Sequence, residues 1–215
     1  MYYKEKDICE FFSLLNDNVV YILANNIGNE LPKRLVKGKD IDIIVHPDYY
    51  EKLKKLLHLW GYRKIIHPYG EDVGWKYLYG MRKAYKYRHI NSGIEVDVYD
   101  CLCTKSAMMN AWLPLDKKIN ANIWMEKQWD SKNKWWILDD ATMLVYLITR
   151  CVFEKNSFSE LYKMEIEKRK QYLANKVLIE KLESVFFKFT SVLIKLIQDR
   201  KYYNIISRYY SFVDY

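Results

Sequence analysis

The chain has 215 residues, 50% of them hydrophobic and 29% charged, which excludes a disordered polymer and suffices for one large domain or two small ones. Its 35 basic against 27 acidic residues leave a net charge of +8, which points to an anionic partner: a nucleotide, a phosphorylated substrate or, as the lesser candidate, nucleic acid. The four cysteines, Cys9, Cys101, Cys103 and Cys151, match no zinc or disulfide spacing, no apolar run reaches the ~18 residues of a membrane span, and the start Met-Tyr-Tyr-Lys-Glu-Lys-Asp lacks a signal-peptide core, so a cytoplasmic protein is expected.

Ile8, Phe11, Phe12 and Leu15 recur at helical spacing and predict a short amphipathic helix over residues 6–16. The apolar run Val19 to Ala24 reads as a strand, and the turn formers Asn25-Asn26-Ile27-Gly28-Asn29 open a loop after it. That loop gathers Lys33, Arg34, Lys37 and Lys39 just before Asp40-Ile41-Asp42-Ile43-Ile44-Val45, a β-branched run of strand length. His46-Pro47 ends it, and Asp48 is the expected N-cap of a helix carrying Leu53, Leu56, Leu57 and Trp60, closed by Gly61. Strands are expected over 62–67 and 73–79. Ala84 to Ile90 and Ile94 to Tyr99 then flank Asn91-Ser92-Gly93 as a hairpin.

Residues 105–136 show no clear period, and the helical pattern resumes at Leu138-Asp139-Asp140-Ala141, with Arg150 and Lys155 near that helix's end. Further amphipathic helices are expected over 157–173 and 176–197. The fold class is therefore α+β, a mixed β-sheet core over residues 1–104 followed by a mainly helical half over 105–215.

Asp40 and Asp42, one residue apart on a strand, leave the same face about 7 Å apart. Glu95, Asp97 and Tyr99 likewise share one face of the hairpin's return strand. Phosphoryl transfer needs a divalent cation held by hard oxygen ligands, and a third carboxylate on a neighbouring strand would complete such a platform and take a proton from an attacking hydroxyl. The competing reading has Asp40 capping the strand and Asp42 facing solvent. Arg82, Lys83, Lys86 and Arg88, interleaved with Tyr85 and Tyr87, are either a stacking and phosphate-contact surface or one solvated strand face. The four histidines, His46, His58, His67 and His89, lack ligand spacing.

The order of helix, strand, glycine-containing loop, Asp40-Ile41-Asp42, helix, strands, Glu95-Val96-Asp97-Val98 and a helical C-terminal half resembles the nucleotidyltransferase superfamily with the DNA polymerase beta-like fold. The resemblance implies a nucleotidyltransferase-like core with a C-terminal helical bundle. It also implies Mg²⁺ or Mn²⁺ held by Asp40, Asp42 and a third acid, Asp97 by its place between two valines, with Glu95 as the other candidate. Asp97 would then be the catalytic carboxylate. Where that family carries Gly-Ser after its first strand, this chain has Ala24-Asn25-Asn26-Ile27-Gly28, so the donor's phosphates would fall to Asn25, Arg34, Lys37 and Lys39; Arg150 and Lys155 either reach across a cleft to those phosphates or form an interface salt bridge. The longer loop ending Gly-Lys-Asp-Ile-Asp looks more like the uncharacterised and LicD-type branches that decorate bacterial surface glycans. The implied activity moves a nucleotidyl or substituted phosphoryl group from a nucleotide or nucleotide-linked donor to a hydroxyl, with a saccharide as candidate acceptor. The alternative is a non-catalytic module of the same fold that binds nucleic acid or a toxin-antitoxin partner.

Overall fold

A computed structural model describes residues 1–65, 76–77, 84–106 and 111–214. Helix α1 (Glu5–Asn18) buries Ile8, Phe11, Phe12 and Leu15 on one face and leads into β1 (Tyr21–Leu23). After the loop comes β2 (Asp40–Val45), then α2 (Tyr50–Leu59). Asp48 does not cap α2: it lies inside a preceding 3-10 turn, Pro47–Tyr49, where its own backbone N–H donates to His46 Nδ1 at 3.3 Å. His46 is the capping side chain, because the proline after it starts the turn one residue early. Gly61 ends α2 at φ +84°, where an added Cβ would also come within 3.1 Å of His89 Nε2.

β3 (Tyr62–Lys64) is shorter than the strand expected over 62–67, whose last two residues lie outside the described ones. Of the strand expected over 73–79 only β4 (Lys76–Tyr77) is described, and it belongs to a second sheet. β5 (Ala84–His89) and β6 (Glu95–Tyr99) form the hairpin, while Arg82 and Lys83 lie outside the described residues. The stretch without a clear period supplies β7 (Cys103–Lys105), β8 (Ala111–Pro114), α3 (Lys117–Glu126), β9 (Gln128–Asp130) and β10 (Trp135–Ile137). Then come α4 (Asp140–Thr149), α5 (Glu160–Lys168), α6 (Lys176–Phe186), α7 (Thr190–Gln198) and α8 (Tyr202–Tyr210). The helix expected unbroken over 176–197 is two, because Phe187 takes φ +49° and ends α6. The sequence reading did not anticipate α8. No helix among the described residues is long and apolar enough to cross a membrane.

The seven-stranded sheet has the order β3-β5-β6-β2-β1-β10-β9, with β2/β6 and β1/β10 parallel and the other pairs antiparallel. The smaller sheet has the order β4-β8-β7. Alternation along the central strands sends side chains to two cores. Tyr21, Leu23, Ile41, Ile43, Val45, Val96 and Val98 pack with α1 and α2, whereas Ile22, Ala24 and Ile44 pack with α4 and the helices after it. Asp40 and Asp42 share the parity of Ile44, so strand geometry directs both acids to the side of the sheet that the C-terminal helices cover.

Candidate active site

The parallel pairing of β2 with β6 sets Asp40 opposite Glu95 and Asp42 opposite Asp97. Strands in a ladder run about 4.8 Å apart, so same-face carboxylates at paired positions must meet. Asp40, Asp42 and Asp97 each offer an oxygen, and these oxygens all lie within 4.8 Å of one another. Asn25, two residues after β1, donates from Nδ2 to Asp42 Oδ2 at 2.9 Å, and the neighbouring Ala24 N–H donates to the Asp42 carbonyl at 2.9 Å. The Tyr99 hydroxyl lies 3.3 Å from both Asp42 Oδ1 and Asp97 Oδ2. It has one proton to share between two carboxylates, so one of those contacts is satisfied only when a carboxyl group is itself protonated.

Among the described residues, Lys86 and Arg150 border the triad and Arg88 borders Glu95. Lys86 Nζ sits 2.7 Å from Asp40 Oδ2 and 3.5 Å from both Asp97 Oδ1 and Glu95 Oε2. Glu95 does not join the triad: Arg88 donates to its Oε1, from Nε at 2.9 Å and also from Nη2. Arg150 approaches from the helical half, its Nη1 3.8 Å from Asp42 Oδ2. It stands at the start of a wide π-helical turn, Arg150–Glu154, in which the Lys155 N–H donates to the Arg150 carbonyl five residues back at 2.8 Å. Glu154, four residues on, meets Arg150, which donates to it from Nε and Nη2 at 2.9 and 2.8 Å, while Lys155 Nζ lies 2.8 Å from Glu154. The fork occupies two of the guanidinium's nitrogens and leaves Nη1 facing Asp42.

Crowding of buried negative charge governs the protonation of this cluster. Burial, then Asp42 and Asp40, push the Asp97 carboxyl up to about 8 against the pull of Lys86. Burial also raises Asp42, with Asp40 and Glu154 adding to the rise while Arg150 and Asn25 oppose it. Glu154 is buried too, yet it stays below the usual carboxylate range because Arg150 and Lys155 hold its charge. The contrast is physical: Glu154 has cations enough, and the triad does not. Asp97 Oδ1 is buried without a hydrogen bond, its nearest cation the Lys86 ammonium at 3.5 Å.

This donor set fits a hard divalent cation. All three groups are carboxylates, and oxygens around Mg²⁺ at about 2.1 Å lie roughly 3–4 Å apart, so a cluster within 4.8 Å needs only a small contraction to bind.

The structure does not bring every candidate to the acids. Arg34 donates to the Gly28 and Asn29 carbonyls at 3.0 and 3.2 Å, and Lys39 pairs with Glu30, so both brace the loop itself. Lys37 fastens its loop through backbone, its N–H donating to the Met1 carbonyl at 3.0 Å. Sequence reading did not place Tyr99, Lys86 or Glu154 at the acids, offering Lys86 only as part of a phosphate-contact surface or a solvated strand face. Lys86 was reachable from the hairpin: pairing Arg88 with Glu95 across Asn91-Ser92-Gly93 also sets Lys86 opposite Asp97. Glu154 was reachable too, since it stands four residues after Arg150, the spacing at which helical side chains pair.

Two solved structures are similar to the chain over most of its length. One is the lincosamide antibiotic adenylyltransferase LnuA bound to lincomycin, with TM-score 0.47 and 15% identity over 79% of this chain and 98% of that one. The other is the antibiotic-resistance factor ANT(2'')-Ia in solution, with TM-score 0.45 and 9% identity over 92% of this chain and 95% of that one. No protein-family model and no curated protein matches the chain.

Proposed function

We propose that this chain is a divalent-metal-dependent transferase that moves a nucleotidyl or substituted phosphoryl group from a nucleotide donor to a hydroxyl acceptor. The observation that carries the reading is the convergence of Asp40, Asp42 and Asp97 within 4.8 Å, with the Arg150 guanidinium beside Asp42. Asp40, Asp42 and Asp97 would hold Mg²⁺ or Mn²⁺. Bound there, the ion neutralises charge on the donor's phosphates and on the leaving group.

The acceptor oxygen attacks phosphorus, the bond from phosphorus to the leaving phosphate oxygen breaks, and the acceptor's proton passes to Asp97. Asp97 suits that task because burial and the neighbouring carboxylates push its carboxyl up to about 8, which makes it a stronger proton acceptor than an ordinary carboxylate. Arg150, with Nη1 not engaged by Glu154, binds a phosphate oxygen of the donor, and Asn25 and Lys155 flank it. A saccharide is the proposed acceptor, in line with the LicD-type, surface-glycan resemblance of the sequence.

Titration of Mn²⁺ into wild type and Asp42→Asn tests the reading. Removing a ligand should weaken binding at least about tenfold, since even groups behind the ligands are worth that much. Equal affinity in the two proteins would reject the proposal. A panel of nucleotides and sugar acceptors, followed by pyrophosphate release, then identifies the pair.

A further inference from the structure

Among the described residues Lys86 is the cation closest to the acid cluster, and neither a packing role nor a phosphate-contact surface accounts for its position. It lies on β5 directly opposite Asp97, with its ammonium 2.7 Å from Asp40 and 3.5 Å from Asp97. Glu95, also 3.5 Å away, already has Arg88, so the charge of Lys86 is spent on Asp40 and Asp97, two of the three acids proposed to hold metal. Arg150 cannot replace it there, since Glu154 takes two of its nitrogens and its remaining approach is to Asp42. The Lys86 side chain is about one-third exposed (35%), so its head has a route out to water on a flexible stem.

Resting on the metal-site reading above, we infer that Lys86 is a tethered counter-cation that exchanges with the divalent ion: its ammonium holds Asp40 and Asp97 together without metal and swings out when metal enters. An ammonium and a divalent ion cannot share the same carboxylate oxygens without repulsion, so each weakens the other's hold. The consequence is a site that binds free metal loosely. Phosphates of a nucleotide add negative charge to the cluster and tip the exchange toward metal, so metal and donor enter together.

The test uses Lys86→Met, which keeps the stem and removes the charge, and Lys86→Arg, which keeps the charge. Calorimetric titration should show Mn²⁺ binding roughly ten- to a hundredfold tighter in Lys86→Met than in wild type, the scale on which neighbours of metal ligands act. Lys86→Arg should stay near wild type. The metal-free Lys86→Met protein should melt at lower temperature and recover when Mn²⁺ is added. Affinity in Lys86→Met equal to or weaker than wild type overturns the exchange while leaving the metal site intact, whereas absence of Mn²⁺ binding in both proteins overturns the transferase reading as well. A measurement on wild type alone does not depend on how the variants fold. Mass spectrometry after brief treatment with acetic anhydride should find Lys86 acetylated faster with Mg²⁺ present than absent, and an unchanged or slower rate also overturns the exchange.

Discussion

At the scale of single residues, Asp97 carries a consequence that pH alone exposes. Its carboxyl is held up to about 8 in the folded chain by burial and by Asp42 and Asp40, against roughly 4 in an unfolded one. Between those values the folded protein keeps a proton that the unfolded chain has lost, so this group's contribution to stability falls as pH rises through the window. Asp97→Asn removes that slope. In urea denaturation with metal chelated, the variant's stability relative to wild type should climb from pH 4 to pH 8 by at least about 1.4 kcal/mol, the value of one pKa unit. Which residues the sequence made legible follows from distance along the chain. Asp40 and Asp42 share a face by strand alternation, which two letters suffice to show. That Asp97 stands beside Asp42 depends on a parallel pairing between distant strands, which no local pattern encodes. Tyr99 shares the face of Asp97 and was visible as such, but its place between two carboxylates needed the same pairing.

At the scale of elements, the strongly patterned segments were readable: α1, β2, the β5/β6 hairpin, and the start of α4 near Asp139, whose carboxylate in the structure caps the helix by accepting from the Ala141 and Thr142 N–H groups at 3.0 Å. Breaks in pattern were not. Phe187 sits where apolar residues continue at helical spacing, yet its φ of +49° with ψ −133° stops α6 and lets α7 fold back. A side chain with a Cβ costs on the order of 1–3 kcal/mol in such a conformation, and the Phe187 ring is 64% exposed and repays little of it. Phe187→Gly should therefore raise stability by about 1 kcal/mol, read as a shift of the urea midpoint at unchanged slope. The short strands β9 and β10 escaped for a different reason. Their tryptophans suit either core or surface, Trp135 being buried while Trp129 pairs with Trp136 outside, so no period of two emerges.

At the scale of the whole molecule, the two halves of the sequence share one sheet. β10 lies parallel to β1 with Leu23 opposite Ile137, and Ile22, Ala24 and Ile44 face the helices that follow residue 138. A chain cut after residue 104 would keep all three acids but leave β1 as an apolar edge strand and uncover one face of the sheet. Residues 1–104 alone should show no cooperative melting transition by circular dichroism and should elute as aggregate, whereas the full chain melts as a unit. The helical half also delivers Arg150 through the wide turn at Arg150–Glu154. That turn makes the site sensitive to length rather than to spelling. Losing one residue there would restore a regular helix and rotate all that follows by about 100°. Arg150 and Glu154 would still meet at helical spacing, but Lys155 and the helices after it would turn away from the faces they now pack on. Over evolutionary time this segment can exchange many of its letters, but it cannot easily gain or lose one.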